Sequence, residues 1–262
     1  MDFPKKIKSI LQDDNYTMDE TGLSGAGVHL FSDKVLKVQP ISEEAINEAQ
    51  MLAWLCDKLP VPKIIEHIVE NGKSYILMSK CSGKMTCDSR YMQDPAQQTR
   101  ILASALKMLW ETDIAECPCN WSLERRLAIA EENIRNGTVD TSNAQPETFG
   151  PNGFGDPTEL LAYLKENKPE MQLQVLSHGD FCLPNIFADD GQISGFIDLG
   201  KCGVADIWQD VALCYRSLCN NYNGTYGGRS YPGFQPEMLF DALGLRPDWD
   251  KIRYYILLDE LF

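Results

Sequence analysis

The chain has 262 residues, 44% of them hydrophobic and 24% charged. This length and composition exclude a disordered polymer and suit one large domain or two coupled lobes. A net charge of −14 argues against nucleic acid or an anionic membrane as the main partner, because phosphate binding needs a basic face. On charge alone the acidity reads first as an aid to solubility, and it is also compatible with a cationic ligand.

The start, Met1-Asp2-Phe3-Pro4-Lys5, lacks the apolar run of an export signal, and no stretch approaches the ~18–20 apolar residues of a membrane span. Nine cysteines, an odd number in a long chain, do not form a short disulfide framework. Cys117 and Cys119 stand alone as a C-x-C, and His29, His67 and His178 are scattered, so a structural zinc is not expected. The expected address is cytoplasmic.

In chain order, Val28 to Phe31 and Val35 to Val38 read as strands around Ser32-Asp33-Lys34. Ser42-Glu43-Glu44 opens a helix with an N-cap and acids in its first turn, and Ala45, Met51, Leu52, Leu55 and Leu59 give it an apolar side. Pro60 and Pro62 stop it. Lys63 to Glu70 and Ser74 to Ser79 read as strands around Asn71-Gly72. After Cys81-Ser82-Gly83 the pattern turns helical, with helices expected over Pro95 to Glu111 and Leu123 to Ile134. A long Gly-, Pro-, Asn- and Thr-rich stretch then runs to Pro157. Asp156-Pro157 caps a helix through Leu164, and Val175-Leu176-Ser177 is strand-like. Ile186 to Ala188 and Ser194 to Ile197 flank the turn Asp189-Asp190-Gly191. The remainder is expected to be helical apart from Asn220 to Pro236. The expected architecture is a small sheet lobe over residues 1–82 and a larger, mainly helical lobe over residues 83–262.

The strongest local signal is His178-Gly179-Asp180-Phe181-Cys182-Leu183-Pro184-Asn185, followed across the hairpin by Ile197-Asp198-Leu199-Gly200. An Asp, four residues, an Asn, and then Asp-x-Gly is the spacing of a kinase-type catalytic loop and its metal-binding turn. One carboxylate, Asp180, can accept the hydrogen bond of an acceptor hydroxyl. An amide oxygen from Asn185 and a carboxylate from Asp198 suit Mg²⁺, a hard cation that keeps contact with nucleotide phosphates. Taken singly, these residues are also turn-formers; their order makes the chemical reading the better one. Lys37, inside an apolar strand, is either an edge-strand charge or a phosphate-gripping lysine. The later motif favours a pair with Glu48, eleven residues on. The glycines of Thr21 to Gly27 would let backbone N–H groups approach phosphate oxygens.

With these residues in view the chain resembles the aminoglycoside 3′-phosphotransferases, the kanamycin and neomycin kinases of the protein-kinase-like fold. The resemblance is carried by His178-Gly179-Asp180 to Asn185, Gly195 to Gly200, Gly203-Val204-Ala205-Asp206, Trp54-Leu55 with Lys58 to Pro62, and the ending Tyr254 to Phe262. It spans nearly the whole chain. It implies an α+β bilobal fold, a nucleotide-binding N-terminal lobe, an ATP-type co-substrate with Mg²⁺, and transfer of the terminal phosphate to the 3′-hydroxyl of a kanamycin- or neomycin-type antibiotic, conferring resistance. On this resemblance Asp180 is catalytic, and Asn185 and Asp198 are metal ligands. Lys37, Glu48, Ser24, Met78 and Cys81 meet the nucleotide. Asp259, Glu260 and the carboxylate of Phe262 meet drug ammonium groups, with Glu147 and Asp156 as further drug-facing acids. Acids at a helix C-terminus oppose the helix dipole, which favours a functional reading of that ending.

Departures from the family pattern bear on specificity. Val35 stands where some members stack a Tyr on adenine, which leaves GTP open as donor. Lys201 replaces an Arg, and a Lys cannot reproduce a planar bidentate contact. Asn223 to Gly233 is a long aromatic loop, either a surface loop or a lid over the acceptor. The alternative function is a kinase for another hydroxylated amine or sugar, as in choline kinases. No Ala-Pro-Glu segment follows Asp198-Leu199-Gly200, which disfavours a protein kinase. The oligomeric state is left open.

Overall fold

The computed structural model describes residues 3–12, 15–19 and 26–262. Ser24 and the stretch from Thr21 to Gly25 lie outside the described residues.

A five-stranded antiparallel sheet occupies the N-terminal part: β1 (Thr17–Asp19), β2 (Gly27–Leu30), β3 (Lys34–Pro40), β4 (Ile64–Glu70) and β5 (Lys73–Ser79), in the order β1-β2-β3-β5-β4. Asn71 and Gly72 both have positive φ, 52° and 71°, so they form the mirror-type turn that matches strand twist and sets Glu70 opposite Lys73. Strand alternation sorts the two faces. Leu36, Val38, Tyr75 and Leu77 pack with Ile7 and Leu11 of α1 (Lys5–Leu11), a helix with no clear signal in the sequence. Lys37, Ile76 and Met78 point the other way, towards α2 (Glu43–Leu55). Ser42 Oγ accepts the Ala45 N–H at 3.1 Å, capping α2 where expected. Leu59 is buried but lies in the turn past the end of α2, not in the helix.

The rest of the described chain is mainly helical. After β6 (Lys84–Met85) and α3 (Ser89–Met92) comes α4 (Pro95–Trp110), capped by Asp94 and burying Ile101, Leu102, Ala105, Leu106 and Leu109. Next come α5 (Leu123–Asn136), closed by left-handed Gly137, and α6 (Pro157–Glu166), capped by Asp156. Strand β7 (Gln174–Ser177) follows, then the hairpin β8 (Ile186–Asp189) and β9 (Gln192–Phe196), which pairs with β6. The chain continues with β10 (Gly203–Asp206), α7 (Ile207–Tyr222), α8 (Glu237–Leu243) and α9 (Trp249–Asp259). α7 packs on α9, and α4 on α8.

Two expectations need correction. Residues 203–206 are strand rather than helix: β10 pairs antiparallel with β7, and Val204 exchanges backbone hydrogen bonds with Cys119 and Trp121 on its other side. A Cβ on Gly203 would meet Trp121 Cδ1 at 2.5 Å. Long-range pairing decides this segment, which is too short for a periodic signal. α7 also runs on to Tyr222, so residues 220–222 are helical. The Tyr222 hydroxyl donates to Gln98 Oε1 at 2.6 Å and its ring stacks on Phe234 at 4.7 Å, which holds the last turn. Among the described residues no helix is long and apolar enough to cross a membrane.

His29 on β2 is 1% exposed, in edge contact with Phe3 and Tyr16. Burial pushes its pKa below 6.5. The unfolded chain therefore binds the proton more readily. The stability from neutral His29 is complete above about pH 6.5 and is lost as pH falls through the lower folded-state value. His29→Phe is expected to weaken the loss of stability between about pH 7.5 and pH 5.5. Urea midpoints at the two pH values check this, and an unchanged difference would contradict it.

Candidate active site

β3 alternation delivers Lys37 to the face shared with α2, where its side chain is nearly enclosed. Its Nζ lies 2.8 Å from Glu48 Oε2 and 2.7 Å from Asp198 Oδ1. Gln39 Nε2 donates to Glu48 Oε2 at 3.0 Å, so Glu48 is held from two strand positions. Burial alone would lower the Lys37 pKa, but Glu48 and Asp198 outweigh it and hold the ammonium above its ordinary value. Burial likewise pushes Asp198 up, and Lys37 more than reverses it, keeping Asp198 ionised. Asp198 has φ 61° and ψ 56°, a left-handed conformation uncommon outside glycine.

The loop after β7 is held from beneath. Asp210, on α7 and 1% exposed, accepts from Ser177 Oγ at 2.9 Å, the Gly179 N–H at 3.0 Å and the His178 N–H at 2.6 Å. Burial raises the Asp210 pKa above the ordinary carboxylate value, against the pull of His178 and these donors. Gly179 has φ 82°, and a Cβ there would meet the Lys201 carbonyl oxygen at 1.8 Å, so only glycine fits. Asn185 Nδ2 donates to the Asp180 carbonyl and to Asp180 Oδ2, both at 3.0 Å. The Asn185 amide nitrogen is thereby committed to Asp180, which leaves the amide oxygen for another partner. Cys182 Sγ lies 3.5 Å from Asp180 Oδ1, and burial keeps this thiol well above its ordinary pKa.

Lys37, Glu48, Asn185 and Asp198 line one end of a cleft of about 560 Å³. The other walls are largely apolar, with Val28, Leu30, Val35, Met78, Met85 and Ile197, and they also carry Ser79, Lys80, Lys84 and Asp88. Cys81 also faces this cleft, its thiol pushed up to about 12 by burial. Such a shape, apolar walls ending in a few fixed charges, suits a flat heterocycle with an anionic tail. Among the described residues no group of three or more His, Cys, Asp or Glu side chains gathers to hold a metal. An ion at Asn185 and Asp198 would therefore draw its other ligands from a phosphate and water.

The chain end forms a second cluster. Asp259 pairs with Arg216 at 2.5 Å and Arg126 at 3.3 Å. Burial pushes its carboxyl up, but Arg216, Lys201 and Arg126 hold it far below the usual carboxylate range. Glu260 is held more loosely, by the Gln145 N–H at 3.3 Å and Arg216 at 3.7 Å. Arg126 lies over the Phe262 ring at 4.6 Å, and Lys201 Nζ stands 5.3 Å from that ring. Burial lowers the Lys201 pKa, yet Asp259, Glu44 and Asp180 raise it overall.

The structure thus brings Lys37, Glu48, Met78, Cys81, Asn185 and Asp198 to one cleft, with Asp180 bonded to Asn185 at its edge. Asp259, Glu260 and Phe262 gather at the chain end. Glu147 is exposed on the loop before α6, and Asp156 spends one carboxylate oxygen capping that helix at the Glu159 N–H. Neither has a hydrogen bond to the other candidates. Sequence reasoning missed Asp210, Arg126 and Arg216. Each is a charged residue on a half-apolar helix, and its partners lie 31 or more positions away.

The chain matches the phosphotransferase enzyme family over residues 21–255. It is 42% identical over 218 residues to an aminoglycoside 3′-phosphotransferase of Enterococcus faecalis, covering 82% of this chain and 78% of the relative. It is 37% identical over 267 residues to an aminoglycoside 3′-phosphotransferase of Staphylococcus aureus, covering 98% and 97%. Its fold is similar to that of aminoglycoside phosphotransferase APH(3'')-Id from Streptomyces rimosus in complex with ADP and streptomycin. The TM-score is 0.78 at 24% identity, over 97% of this chain and 95% of that one.

Proposed function

The chain belongs to the phosphotransferase enzyme family, among its aminoglycoside 3′-phosphotransferases, and we propose that it moves the terminal phosphate of a nucleoside triphosphate onto the 3′-hydroxyl of a kanamycin- or neomycin-type drug. The observation that carries this reading is Lys37. One ammonium joins Glu48, eleven residues away, to Asp198, 161 residues away, in a largely apolar cleft whose Asn185 is bonded to Asp180.

Each residue has one task in this reading. Lys37, steadied by Glu48, grips donor phosphate oxygens, and Met78 and Cys81 flank the purine. The Asn185 amide oxygen and the Asp198 carboxylate hold Mg²⁺, which supplies charge neutralisation of the transferring phosphate. Asp180 accepts the hydrogen of the 3′-hydroxyl, whose oxygen forms the new bond to phosphorus as the bond to the departing nucleoside diphosphate breaks. Positioning does most of the work. Ser24 completes the nucleotide contacts on the family pattern. Asp259, tied to Arg216 and Arg126, fixes the chain end. Glu260, more loosely held, and the Phe262 carboxylate receive drug ammonium groups, with Glu147 and Asp156 as outer acids. The two lobes divide at residues 82 and 83, where the strand-rich part meets the helical part. ATP is the assigned donor, and the aliphatic Val35 also admits GTP. All nine cysteines are free, which fits a reducing cytoplasm.

Growth of sensitive bacteria expressing the chain tests the reading. Protection is expected against kanamycin and absent against a relative lacking the 3′-hydroxyl. Equal protection against both, or none against kanamycin, would contradict it.

A further inference from the structure

We propose that Asn47 is a positioning residue that fastens the backbone after Asp198 to α2, so that the Asp198 carboxylate is set for a divalent cation. This rests on the phosphoryl-transfer reading above. Asn47 immediately precedes Glu48 and is 4% exposed. Its Nδ2 donates to the Gly200 carbonyl at 2.9 Å and the Cys202 carbonyl at 2.8 Å. One amide nitrogen thus spends both hydrogens on the two ends of a short turn 153 and 155 residues away.

The turn needs such a hold. Asp198 sits in the left-handed region, which is strained for a non-glycine residue and persists only where the surroundings fix it. The next residues, Leu199–Lys201, form a single tight turn closed by the Cys202 N–H on the Leu199 carbonyl at 3.1 Å. A Cβ on Gly200 would lie 3.2 Å from the Glu44 carbonyl oxygen, so the turn rests against the α2 backbone. Asn47 and Glu48 are adjacent on α2. The first holds the backbone behind Asp198, and the second holds the lysine in front of it. The carboxylate is therefore fixed from both sides by one helix.

The side-chain chemistry is specific. Two buried carbonyls require two donors from one short neutral group. Aspartate has the shape without the donors, and leucine has the volume without polarity. Glutamine keeps the donors on a longer stem. Residues that orient a metal ligand typically change metal affinity by about 10–100-fold when lost.

The test measures binding without turnover. ADP affinity is determined by calorimetry with and without Mg²⁺ for the wild-type chain and for Asn47→Asp, Asn47→Leu and Asn47→Gln. Circular dichroism reports folding. The gain in ADP affinity on adding Mg²⁺ is expected to fall about tenfold in Asn47→Asp and Asn47→Leu. The metal-free affinity should stay within about twofold, and Asn47→Gln should recover part of the gain. Gln98→Leu, another buried amide without a link to Asp198, is expected to lower stability and leave the Mg²⁺ gain intact. A wild-type Mg²⁺ gain in Asn47→Asp overturns the proposal. So does failure of all three Asn47 variants to fold, which would assign Asn47 to folding alone. Asp198→Ala in the same assay separates the two levels. A retained Mg²⁺ gain there overturns the reading of Asp198 itself, whereas its loss beside an unaffected Asn47→Asp overturns only the role of Asn47.

Discussion

Asp180→Asn is expected to lower kcat by about 10³-fold or more while leaving nucleotide affinity within about twofold. The substitution keeps the shape of the side chain and removes its ability to take a proton. Asn185 Nδ2 donates to Asp180 Oδ2 at 3.0 Å, and the Cys182 thiol stands 3.5 Å from Oδ1. These contacts fix the carboxylate direction before any acceptor arrives, so its loss is felt in the chemical step. Lys37, Glu48 and Asp198 are untouched by the change, and they line the donor cleft. Steady-state turnover with calorimetric ADP binding separates the two effects. Turnover near wild type would remove Asp180 from the reaction, and a parallel collapse of nucleotide binding would show a structural fault.

Asp210→Ala is expected to lose about 3–5 kcal/mol of stability, because three buried donors are left without their shared acceptor. For a chain of this size that is a fall of roughly 10 °C in the unfolding midpoint. Activity should fall further than unfolding explains at a temperature where the variant is folded. The His178 and Gly179 N–H groups that Asp210 holds lead directly into Asp180, and a loop free to shift by about 1 Å can cost about 10²-fold in rate. Asp210→Asn should fall between, since an amide can accept on one side only. Thermal unfolding with kcat below the midpoint checks both. An Asp210→Ala variant of wild-type stability would mean that the loop is held by something else.

How much of this was legible before folding depended on distance along the chain. The His178–Asn185 loop and the Asp198 turn stood out because catalytic spacing and turn-forming residues lie within one hairpin. Lys37 and Glu48 were readable because strand alternation singles out a lysine between Leu36 and Val38, and Ser42 marks the start of the following helix. β10 was not readable: its four residues carry no period, and its identity comes from pairing with β7 and from the space that Trp121 denies at Gly203. The chain end was half readable. Asp259 and Glu260 were visible as acids in the last helix turn. That Asp259 is neutralised by Arg216 and Arg126, 43 and 133 residues away, needed the packing of α7 against α9 and the reach of Arg126 from α5. Asn47 looked like an ordinary polar position on α2, since the carbonyls that it serves are over 150 residues distant.

The proposed reaction transfers a nucleotide phosphate to one hydroxyl of an aminoglycoside. Its most direct measurement incubates the purified chain with ATP, Mg²⁺ and kanamycin and locates phosphorus in the product by phosphorus–proton NMR correlation. A single product is expected, with phosphorus coupled to the proton at carbon 3′, and none when Asp180→Asn replaces the wild-type chain. Phosphorus at another hydroxyl, or an unmodified drug with ATP consumed to ADP and free phosphate, would contradict it.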